Sequence, residues 1–376
     1  MAVSGSDLRF LDACVELAAR GLYSTSPNPR VGALIVRDGD VLGRGWHVRA
    51  GADHAEIRAL ADARANGHDP AGATCYVSLE PCAHQGRTPP CAEALVQAGV
   101  GRVVGALDDP NPKVAGNGYR RLREAGIAVE ACSVPAAHAL NEGFVRRMQT
   151  GRPWVRLKVA MSLDGRTAMA SGESQWITGA EARADVQSWR ARSCALITGV
   201  GTVLADNPLL NVRDTAFAVD GVLRQPLRVV LDSRLQTPPT ARLFDAPGPV
   251  LLASAASAGA SRQAALARKA EVLAFDGPQP TLAALLDELG RRECNEVLFE
   301  CGPRLAGSLL ASGLWDELLL YVAPKLLGSD ARPLAELPLA RLDEALAAYP
   351  IDSVPVGADM RLRFRARSDA SGPQTG

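Results

Sequence analysis

The stretch "YVSLEPCAHQGRTPPCAEAL", residues 76–95, joins a strand-like apolar run to a helical segment through two cysteines. Cys82 follows Pro81 at the end of the apolar run, and Cys91 follows a Pro-Pro pair and opens the helix. Thiols brought together in this way are typical of a zinc site. The stretch therefore predicts an α/β unit with a metal site where its elements end.

A third metal ligand and a carboxylate stand upstream, in "HAEIRALADARA", residues 54–65. His54 and Glu56 are two residues apart, and such residues do not face the same way on a regular helix. They can converge only at a helix start, where the sequence places them. One alternative is purely structural: Asp53 could be the N-cap, with Glu56 closing a capping box three residues later.

The residue types fit hydrolytic zinc chemistry. A catalytic zinc takes three protein ligands, here His54, Cys82 and Cys91, and keeps one position for a water whose pKa it lowers. A carboxylate that is not a ligand then moves the proton to the substrate nitrogen and the departing amine, and Glu56 suits that role. A structural zinc site in a binding module is the alternative; it needs a fourth ligand, for which His84 is the only nearby candidate.

The order H-x-E followed by P-C is the signature of zinc deaminases. In that signature two residues separate the cysteines, whereas eight separate Cys82 from Cys91. The longer gap distinguishes this chain from deaminases of nucleic-acid bases.

Composition limits the class of protein. The 376 residues favour two domains, and the 41 basic and 41 acidic residues form no long run of like charge, so no nucleic-acid partner is indicated. No apolar stretch reaches the ~18–20 residues of a membrane span. Charges at Asp7, Arg9, Asp12 and Glu16 argue against a signal peptide, so we expect a cytoplasmic enzyme. Five of the six other cysteines are expected as reduced core residues: Cys14, Cys75, Cys132, Cys194 and Cys294.

Strand-like and helical segments alternate along the chain, which predicts sheets covered on both faces by helices. Asp38-Gly39 between two alternating apolar runs predicts a hairpin. The pattern breaks near residues 146–154, so we expect one domain over residues 1–146 and another over residues 152–367. Residues 368–376 are predicted to be a disordered tail.

The second domain shows apolar runs that suit strands buried on both faces. These runs occupy residues 155–161, 194–200, 227–233, 249–254, 296–302 and 317–327. Helical segments fit between several of them, at residues 181–192, 282–292 and 303–311.

One strand-to-helix junction, "FECGPRLAGSLL" at residues 299–310, could bind a phosphate. The strand ends at Glu300, Gly302 allows close backbone approach, and Pro303 suits a first helical position, so exposed N–H groups could meet a cofactor phosphate. An ordinary turn is the alternative. No G-x-G-x-x-G fingerprint is present, and Cys301 stands where a small residue is expected.

Several longer motifs carry a resemblance to a known family. The first half resembles the deaminase part of the bifunctional deaminase/reductase family of riboflavin biosynthesis, through "SPNPRVGALIV", "GWHVRAGADHAE", "YVSLEPCAHQGRTPPC" and "DDPNPKVAGNGYRRLREAGI". The second half is similar to the reductase part, through "KVAMSLDGRTAMASGESQWIT", "VGTVLADNPLLNVR", "VVLDSR", "GPRLAGSLL" and "YVAPKLLGSDAR". The resemblance covers about residues 8–367.

The resemblance implies an α/β protein with an N-terminal cytidine-deaminase-like three-layer domain and a C-terminal dihydrofolate-reductase-like domain. It implies Zn²⁺ and NADPH as cofactors, and a homo-oligomer formed through the reductase domain. A small-molecule phosphoribosylaminopyrimidine would lose one amine as ammonia, and its ribosyl group would then be reduced to ribityl. The alternative is a zinc deaminase of a nucleoside or nucleic-acid base with an accessory domain, which should have a short P-C-x-x-C gap and a basic face.

The resemblance also implies roles for single residues. His54, Cys82 and Cys91 match the zinc ligands and Glu56 the proton shuttle. Positions that match cofactor contacts are Ala160, Trp176, Thr202, Asp206, Ser233, Gly302, Pro303, Arg304, Leu305, Ala306, Gly307 and Ser308. Positions that match substrate contacts are Asn28, His84, Ser174, Arg190, Leu210, Arg213 and Glu300. Arg190 and Arg213 could bind the substrate phosphate, whereas His47, Lys158 and Asp164 receive no role.

Overall fold

The computed structural model describes residues 3–83, 90–112 and 114–367. Internal contacts divide the chain into two compact units, residues 1–151 and 152–376. We expected the first domain to end at residue 146, but its last helix continues to Thr150 and ends at Gly151, whose φ of 74° suits glycine. The expected tail, residues 368–376, lies outside the described residues.

The first unit contains one mixed sheet and five helices in its described part. The helices are α1 (Gly5–Ala19), α2 (Ala55–Ala65), α3 (Cys91–Gln97), α4 (Asn117–Glu124) and α5 (Pro135–Thr150). The strands are β1 (Gly32–Arg37), β2 (Asp40–Trp46), β3 (Thr74–Val77), β4 (Arg102–Gly105) and β5 (Ala128–Ala131), and they lie in the order β2-β1-β3-β4-β5.

Helices cover both faces of this sheet. In β1, Ala33 and Ile35 pack with residues of α2, α3 and α4, whereas Leu34 and Val36 pack with residues of α1 and α5. Alternate side chains of a strand point to opposite faces, so a strand with every residue apolar is buried on both. The expected three-layer arrangement is confirmed.

The hairpin between β1 and β2 forms at Asp38 and Gly39, both with positive φ (52° and 90°), as its turn requires. Helix α5 was not predicted from the sequence. Its buried face includes Asn141, whose side chain bonds both the N–H and the C=O of Arg30. A polar residue on the buried face weakens the apolar periodicity on which such a prediction depends.

The second unit is built on a larger sheet. Its helices are α6 (Ala180–Arg192), α7 (Val200–Asp206), α8 (Ala260–Leu266), α9 (Leu282–Arg291) and α10 (Pro303–Ala311). Its strands are β6 (Trp154–Ser162), β7 (Arg166–Ala168), β8 (Ala195–Gly199), β9 (Leu227–Leu231), β10 (Val250–Ala255), β11 (Glu271–Phe275), β12 (Glu296–Glu300), β13 (Glu317–Ala323), β14 (Arg332–Pro333), β15 (Ala348–Val356) and β16 (Asp359–Ala366).

Nine of these strands form one sheet in the order β11-β10-β9-β8-β12-β6-β13-β16-β15. The pairs from β11 to β13 are parallel, and the pairs that β16 makes with β13 and β15 are antiparallel. Helices α9 and α10 cover one face, and α6, α7 and α8 cover the other. The carboxyl ends of parallel strands share one edge of such a sheet, where ligands commonly bind.

None of the helices in the described part of the chain combines the length and the apolar character that crossing a bilayer requires.

Candidate functional site

The first unit brings His54, Cys82 and Cys91 together. Their ligand atoms all lie within 4.8 Å of one another, and no other group of three or more such ligands occurs among the described residues. His54 is the residue before α2, Cys82 follows β3, and Cys91 opens α3. The sequence predicted that these three residues lie at the ends of helices and strands, and the fold brings those ends together.

The separations in this cluster match a tetrahedral zinc ion. His54 Nδ1 lies 3.2 Å from Cys91 Sγ and 3.6 Å from Cys82 Sγ. Zinc bonds of about 2.0–2.1 Å to nitrogen and about 2.3 Å to sulfur, at tetrahedral angles, place the two atoms about 3.5 Å apart. The described cluster has three protein ligands, and His84, the candidate fourth, lies outside the described residues.

Contacts within the cluster favour a thiolate. A hydrogen bond from the Cys91 thiol lowers the pKa of Cys82 well below its ordinary value, and the same bond raises the pKa of Cys91. The backbone N–H of Cys91 also donates to Cys82 Sγ at 3.4 Å. Thiolate is the form of cysteine that binds metal ions, so the pair is suited to a cation.

Glu56 lies in the first turn of α2 with only 3% of its surface exposed. Burial raises the pKa of its carboxyl to about 7, and the carboxyl is within hydrogen-bonding reach of Cys91. The capping-box alternative is wrong: the N-cap is His54, not Asp53, and no side chain caps the helix. The helix begins one residue later than a capping box would need, which leaves Glu56 directed at the metal ligands.

Asn28 is held next to the cluster by His47. The Nδ1 of His47 donates to the carbonyl oxygen of Asp53 at 3.1 Å, so Nε2 accepts from Asn28 Nδ2 at 3.0 Å. Burial lowers the pKa of His47 to about 4, which keeps the ring neutral. The His47 and His54 rings meet edge to face, with centroids 5.1 Å apart.

Glu80 fixes the backbone next to Cys82, a role that the sequence analysis missed. Its buried carboxylate accepts the backbone N–H groups of Gly116 and Gly118, each at 3.0 Å, and of Asp109 at 3.3 Å. A side chain at Gly118 would meet the carbonyl oxygen of Pro81 at 1.8 Å. No sequence pattern reveals this arrangement, because residues 29 to 38 positions away supply the bonds.

The second unit contains a cavity of about 1570 Å³ at the carboxyl ends of β6, β8, β9 and β12. Drug-sized ligands occupy about 300–1,000 Å³, so this cavity has room for a dinucleotide together with a second small molecule. Several arginines and one lysine line it, which suits anionic ligands: Lys158, Arg183, Arg190, Arg213, Arg242, Arg304 and Arg332.

Most residues expected at the cofactor and substrate lie on this cavity. They are Ala160, Ser174, Trp176, Arg190, Thr202, Asp206, Leu210, Arg213, Ser233, Glu300, Gly302, Pro303, Arg304, Leu305 and Ser308. Ala306 and Gly307 are not among the lining residues. Ala306 is fully buried in the core, and a side chain at Gly307 would meet the backbone oxygen of Glu336 at 2.0 Å.

Three charged side chains meet on the cavity floor. Glu300 and Lys158 are register partners on β12 and β6, with Lys158 Nζ 3.8 Å from Glu300 Oε2. Arg190 donates from Nε to Oε1 of Glu300 at 2.6 Å and from Nη2 to Oε2 at 2.9 Å. Burial alone would raise the pKa of Glu300, but Arg190 and Lys158 outweigh it and lower the pKa to about 2.

Arg183 is another cavity residue that the sequence analysis missed. Its guanidinium lies 4.3 Å from the ring centroid of Trp176, and its Nη1 donates to the carbonyl oxygen of Thr178 at 2.7 Å. The Nζ of Lys325 donates to the carbonyl oxygen of Trp176 at 2.9 Å. One cation therefore lies against the indole at this cavity wall, and a second cation binds the backbone of the same residue.

Two family models match the chain. The cytidine and deoxycytidylate deaminase zinc-binding region matches residues 4–107, and the RibD C-terminal domain matches residues 153–346. The two matches fall in the unit with the metal ligands and in the unit with the cavity.

Relatives match both units at once. Riboflavin biosynthesis protein RibD of Escherichia coli (strain K12) is 47% identical over 348 residues, covering 90% of this chain and 94% of the relative. Among solved structures, Acinetobacter baumannii RibD (form 1) is 46% identical with a TM-score of 0.89, covering 96% of this chain and 99% of that one.

A third relative carries both activities in its name. The Thermotoga maritima diaminohydroxyphosphoribosylaminopyrimidine deaminase/5-amino-6-(5-phosphoribosylamino)uracil reductase is 30% identical with a TM-score of 0.85, covering 96% of this chain and 99% of that one. These matches run through the second unit, so a base deaminase with an unrelated accessory domain is not favoured. The chain belongs to the bifunctional riboflavin-biosynthesis family, which joins a zinc-dependent deaminase domain to an NADPH-dependent reductase domain.

Proposed function

We propose that the first unit deaminates a diaminohydroxyphosphoribosylaminopyrimidine and that the second unit reduces the ribosyl group of the aminouracil product to ribityl. One observation carries the first half of the proposal: the buried carboxylate of Glu56 lies beside a three-member ligand set in which the spacings suit zinc. The dinucleotide-sized cavity supports the second half.

In the deaminase unit, His54, Cys82 and Cys91 would hold the zinc ion. Bound zinc supplies Lewis-acid activation of water. Glu56 is the group that takes and returns protons, because its carboxyl is buried within hydrogen-bonding reach of Cys91 and is not itself one of the three ligands. Because Glu56 is buried beside the ligands, it exchanges its proton within the site and not with bulk solvent.

The pyrimidine is held by Asn28 in this proposal. With one amide N–H of Asn28 engaged by His47, the orientation of the amide is set, and its oxygen is left to accept from a ligand. His84 was expected near the ribose or phosphate and remains a prediction, since it lies outside the described residues.

In the reductase unit, NADPH would lie along the carboxyl ends of the strands. Its proposed contacts on the cavity are Ala160, Trp176, Thr202, Asp206, Ser233, Gly302, Pro303, Arg304, Leu305 and Ser308. Gly302 is the N-cap of α10 and Pro303 begins that helix, so N–H groups of its first turn can meet a phosphate. NADPH supplies the hydride, and the protein contributes alignment.

The substrate would occupy the part of the cavity lined by Ser174, Arg190, Leu210, Arg213 and Glu300. A carboxylate beside Lys158 can accept from ribosyl hydroxyl groups while the lysine donates to ribosyl oxygens. These side chains therefore orient the sugar for reduction.

We also propose that the enzyme is cytoplasmic and forms a homo-oligomer through the reductase unit. Thiolate ligands favour a reducing compartment. Strand β15 ends the large sheet in the described chain, and it exposes Tyr349 and Ile351, which suits pairing with another copy. Analytical ultracentrifugation of the whole chain tests the assembly.

The proposed deaminase role is tested with Glu56→Gln. The variant keeps the shape and polarity of the side chain but cannot move a proton, so we expect ammonia release from the diaminopyrimidine phosphoriboside to fall about 100-fold or more. NADPH oxidation on substrate that has already been deaminated should continue. Both reactions are followed on the same preparation.

Bound zinc, measured by elemental analysis, is the control for an intact site. If Glu56→Gln released ammonia at the wild-type rate while retaining zinc, the assignment of the proton shuttle would be wrong. If the wild type released no ammonia, the proposed substrate would be wrong.

A further inference from the structure

Two side chains of helix α5 hold the backbone on either side of Asn28. Asn141 accepts from the backbone N–H of Arg30 through Oδ1 at 2.8 Å, and its Nδ2 donates to the carbonyl oxygen of Arg30 at 2.9 Å. Arg147 donates from Nη2 to the carbonyl oxygen of Pro27 at 3.2 Å. The segment that carries Asn28 is therefore bound to a helix more than 100 positions later in the chain.

The contact between α5 and this segment is reciprocal and buried. Arg30 donates from Nη1 to the carbonyl oxygen of Leu140 at 2.6 Å, so each partner contributes a side chain that binds the backbone of the other. Asn141 is 1% exposed and Arg30 is 4% exposed. A buried backbone group without a partner costs about as much free energy as a lost hydrogen bond, so the two bonds from Asn141 fix this backbone.

The fixed backbone leads to the groups proposed to meet the pyrimidine. The carbonyl oxygen of Val31, the residue after Arg30, accepts from the backbone N–H of His47 at 2.9 Å. The His47 ring in turn accepts from the side-chain amide of Asn28 at 3.0 Å. A continuous set of contacts thus joins Asn141 to the Asn28 amide through the backbone and the histidine.

We propose that Asn141 is a positioning residue of the deaminase reaction, which sets the Asn28 amide against the pyrimidine by fixing the backbone beside it. Asn141 does not itself contact the substrate. The inference rests on the proposed deaminase function, in which Asn28 holds the pyrimidine, and it adds the group that keeps Asn28 in place. A polar side chain on the buried face of a helix is costly unless it is hydrogen-bonded, and here both of its bonds go to this one segment.

The test measures kcat and KM for ammonia release from the diaminopyrimidine phosphoriboside, for wild type, Asn141→Leu, Asn28→Ala and the double variant. Leucine is of comparable size to asparagine but makes neither hydrogen bond. We expect the KM of Asn141→Leu to rise about 10- to 100-fold with kcat little changed, because a misplaced Asn28 weakens the binding of substrate and transition state alike. In the double variant, KM should equal that of Asn28→Ala, since Asn141 acts through Asn28.

Hydrogen exchange measured by mass spectrometry follows the backbone itself. A peptide covering residues 27–32 should exchange faster in Asn141→Leu than in wild type, because the N–H of Arg30 loses its acceptor. Val145→Ala is the matched control, since Val145 is also buried on α5 but makes none of these hydrogen bonds. This control should unfold at lower urea concentration, while its KM and the exchange of residues 27–32 stay near wild type.

Bound zinc, and NADPH oxidation on deaminated substrate, should be unchanged in every variant. Asn141→Asp keeps an acceptor for the N–H of Arg30, so we expect a smaller rise in KM, and it decides the comparison if Asn141→Leu does not fold.

Three results would each overturn the inference. They are a wild-type KM in both Asn141 variants, an equal rise of KM in Val145→Ala, and a double variant whose KM shows the product of the two single effects. In all three, the wild type still releases ammonia. If it releases none, the proposed function has failed instead.

Discussion

Glu317 is a fully buried carboxylate between two arginines of the second unit. It accepts from Arg156 Nε at 2.8 Å and from Arg363 Nε at 2.6 Å, and Arg156 is also fully buried and pairs with Glu296. Burial alone would raise the pKa of Glu317, but the charges of the two arginines lower it to about 2. At this residue, charge pairing outweighs the cost of burial.

We expect Glu317→Gln to lower the free energy of unfolding of the second unit by about 3–5 kcal/mol, because the buried Arg156 loses a counter-charge. A carboxyl whose folded pKa is about 2 and whose unfolded pKa is ~4.3 stabilises the fold fully above the unfolded value. This contribution is lost as pH falls from ~4.3 toward 2. Urea unfolding of wild type and variant between pH 7 and pH 3 measures both effects.

Glu271→Gln is the matched control, because Glu271 also pairs with an arginine, Arg292, but its side chain is 50% exposed. Exposed pairs contribute about 0–1 kcal/mol, so the control should unfold nearly as the wild type does. If the free energy of unfolding fell by the same amount in both variants, burial of Glu317 would not explain the effect of its substitution.

Helix α2 packs unusually close to strand β2, and two glycines of β2 permit this. A Cβ atom at Gly43 would lie 2.3 Å from the carbonyl oxygen of Ala59, and one at Gly45 would lie 2.2 Å from that of Ala55. Glu56 lies in the first turn of this helix, directly after the metal ligand His54. The close packing therefore sets the positions of His54 and Glu56, the proposed metal ligand and proton shuttle.

Gly43→Ala should push α2 away from the sheet. We expect overpacking to cost about 1–3 kcal/mol or more, and the displaced His54 to weaken zinc binding by about 10- to 100-fold. Zinc affinity is measured by competition with a chromophoric chelator, and stability by urea unfolding.

Gly5→Ala in α1 serves as the control, because no atom lies within 4 Å of a Cβ placed there. This control should keep zinc affinity and stability near those of wild type. If Gly43→Ala also kept both, the close approach of α2 would not position the metal ligands.

Among the helices and strands, the local sequence predicted those in which apolar residues recur with a regular period. The β1–β2 hairpin and helices α6, α9 and α10 lie where the sequence predicted them. Strands β15 and β16 were missed, although apolar residues alternate with arginines along "DMRLRFRA" as in a strand with two different faces. The arginines pair with carboxylates from elsewhere in the chain, as Arg363 does with Glu317 of β13. Partners so distant in sequence leave no local signal.

At the scale of the whole molecule, the metal ligands and the cavity belong to different compact units. Removal of zinc by a chelator should therefore abolish ammonia release, since the metal ligands are deprived of their ion. NADPH oxidation on deaminated substrate should persist. Both rates are measured before and after dialysis against the chelator, and after zinc is restored.

Loss of both activities on chelation, with recovery of both on adding zinc, would contradict independent sites. A second preparation dialysed without chelator separates the effect of the metal from inactivation during handling.

The sequence by itself determined the family and predicted the two-domain order, the three candidate metal ligands and the proposed proton-moving carboxylate, because these depend on residue types at short, specific spacings. The tertiary structure alone decided that Glu56 does not cap its helix, that Glu80 anchors the backbone beside Cys82, and that Arg190 is engaged by Glu300. The physical reason is distance along the chain: Glu80 bonds to residues more than 25 positions away, and Arg190 to one 110 positions away. Only the folded backbone brings such groups within hydrogen-bonding range.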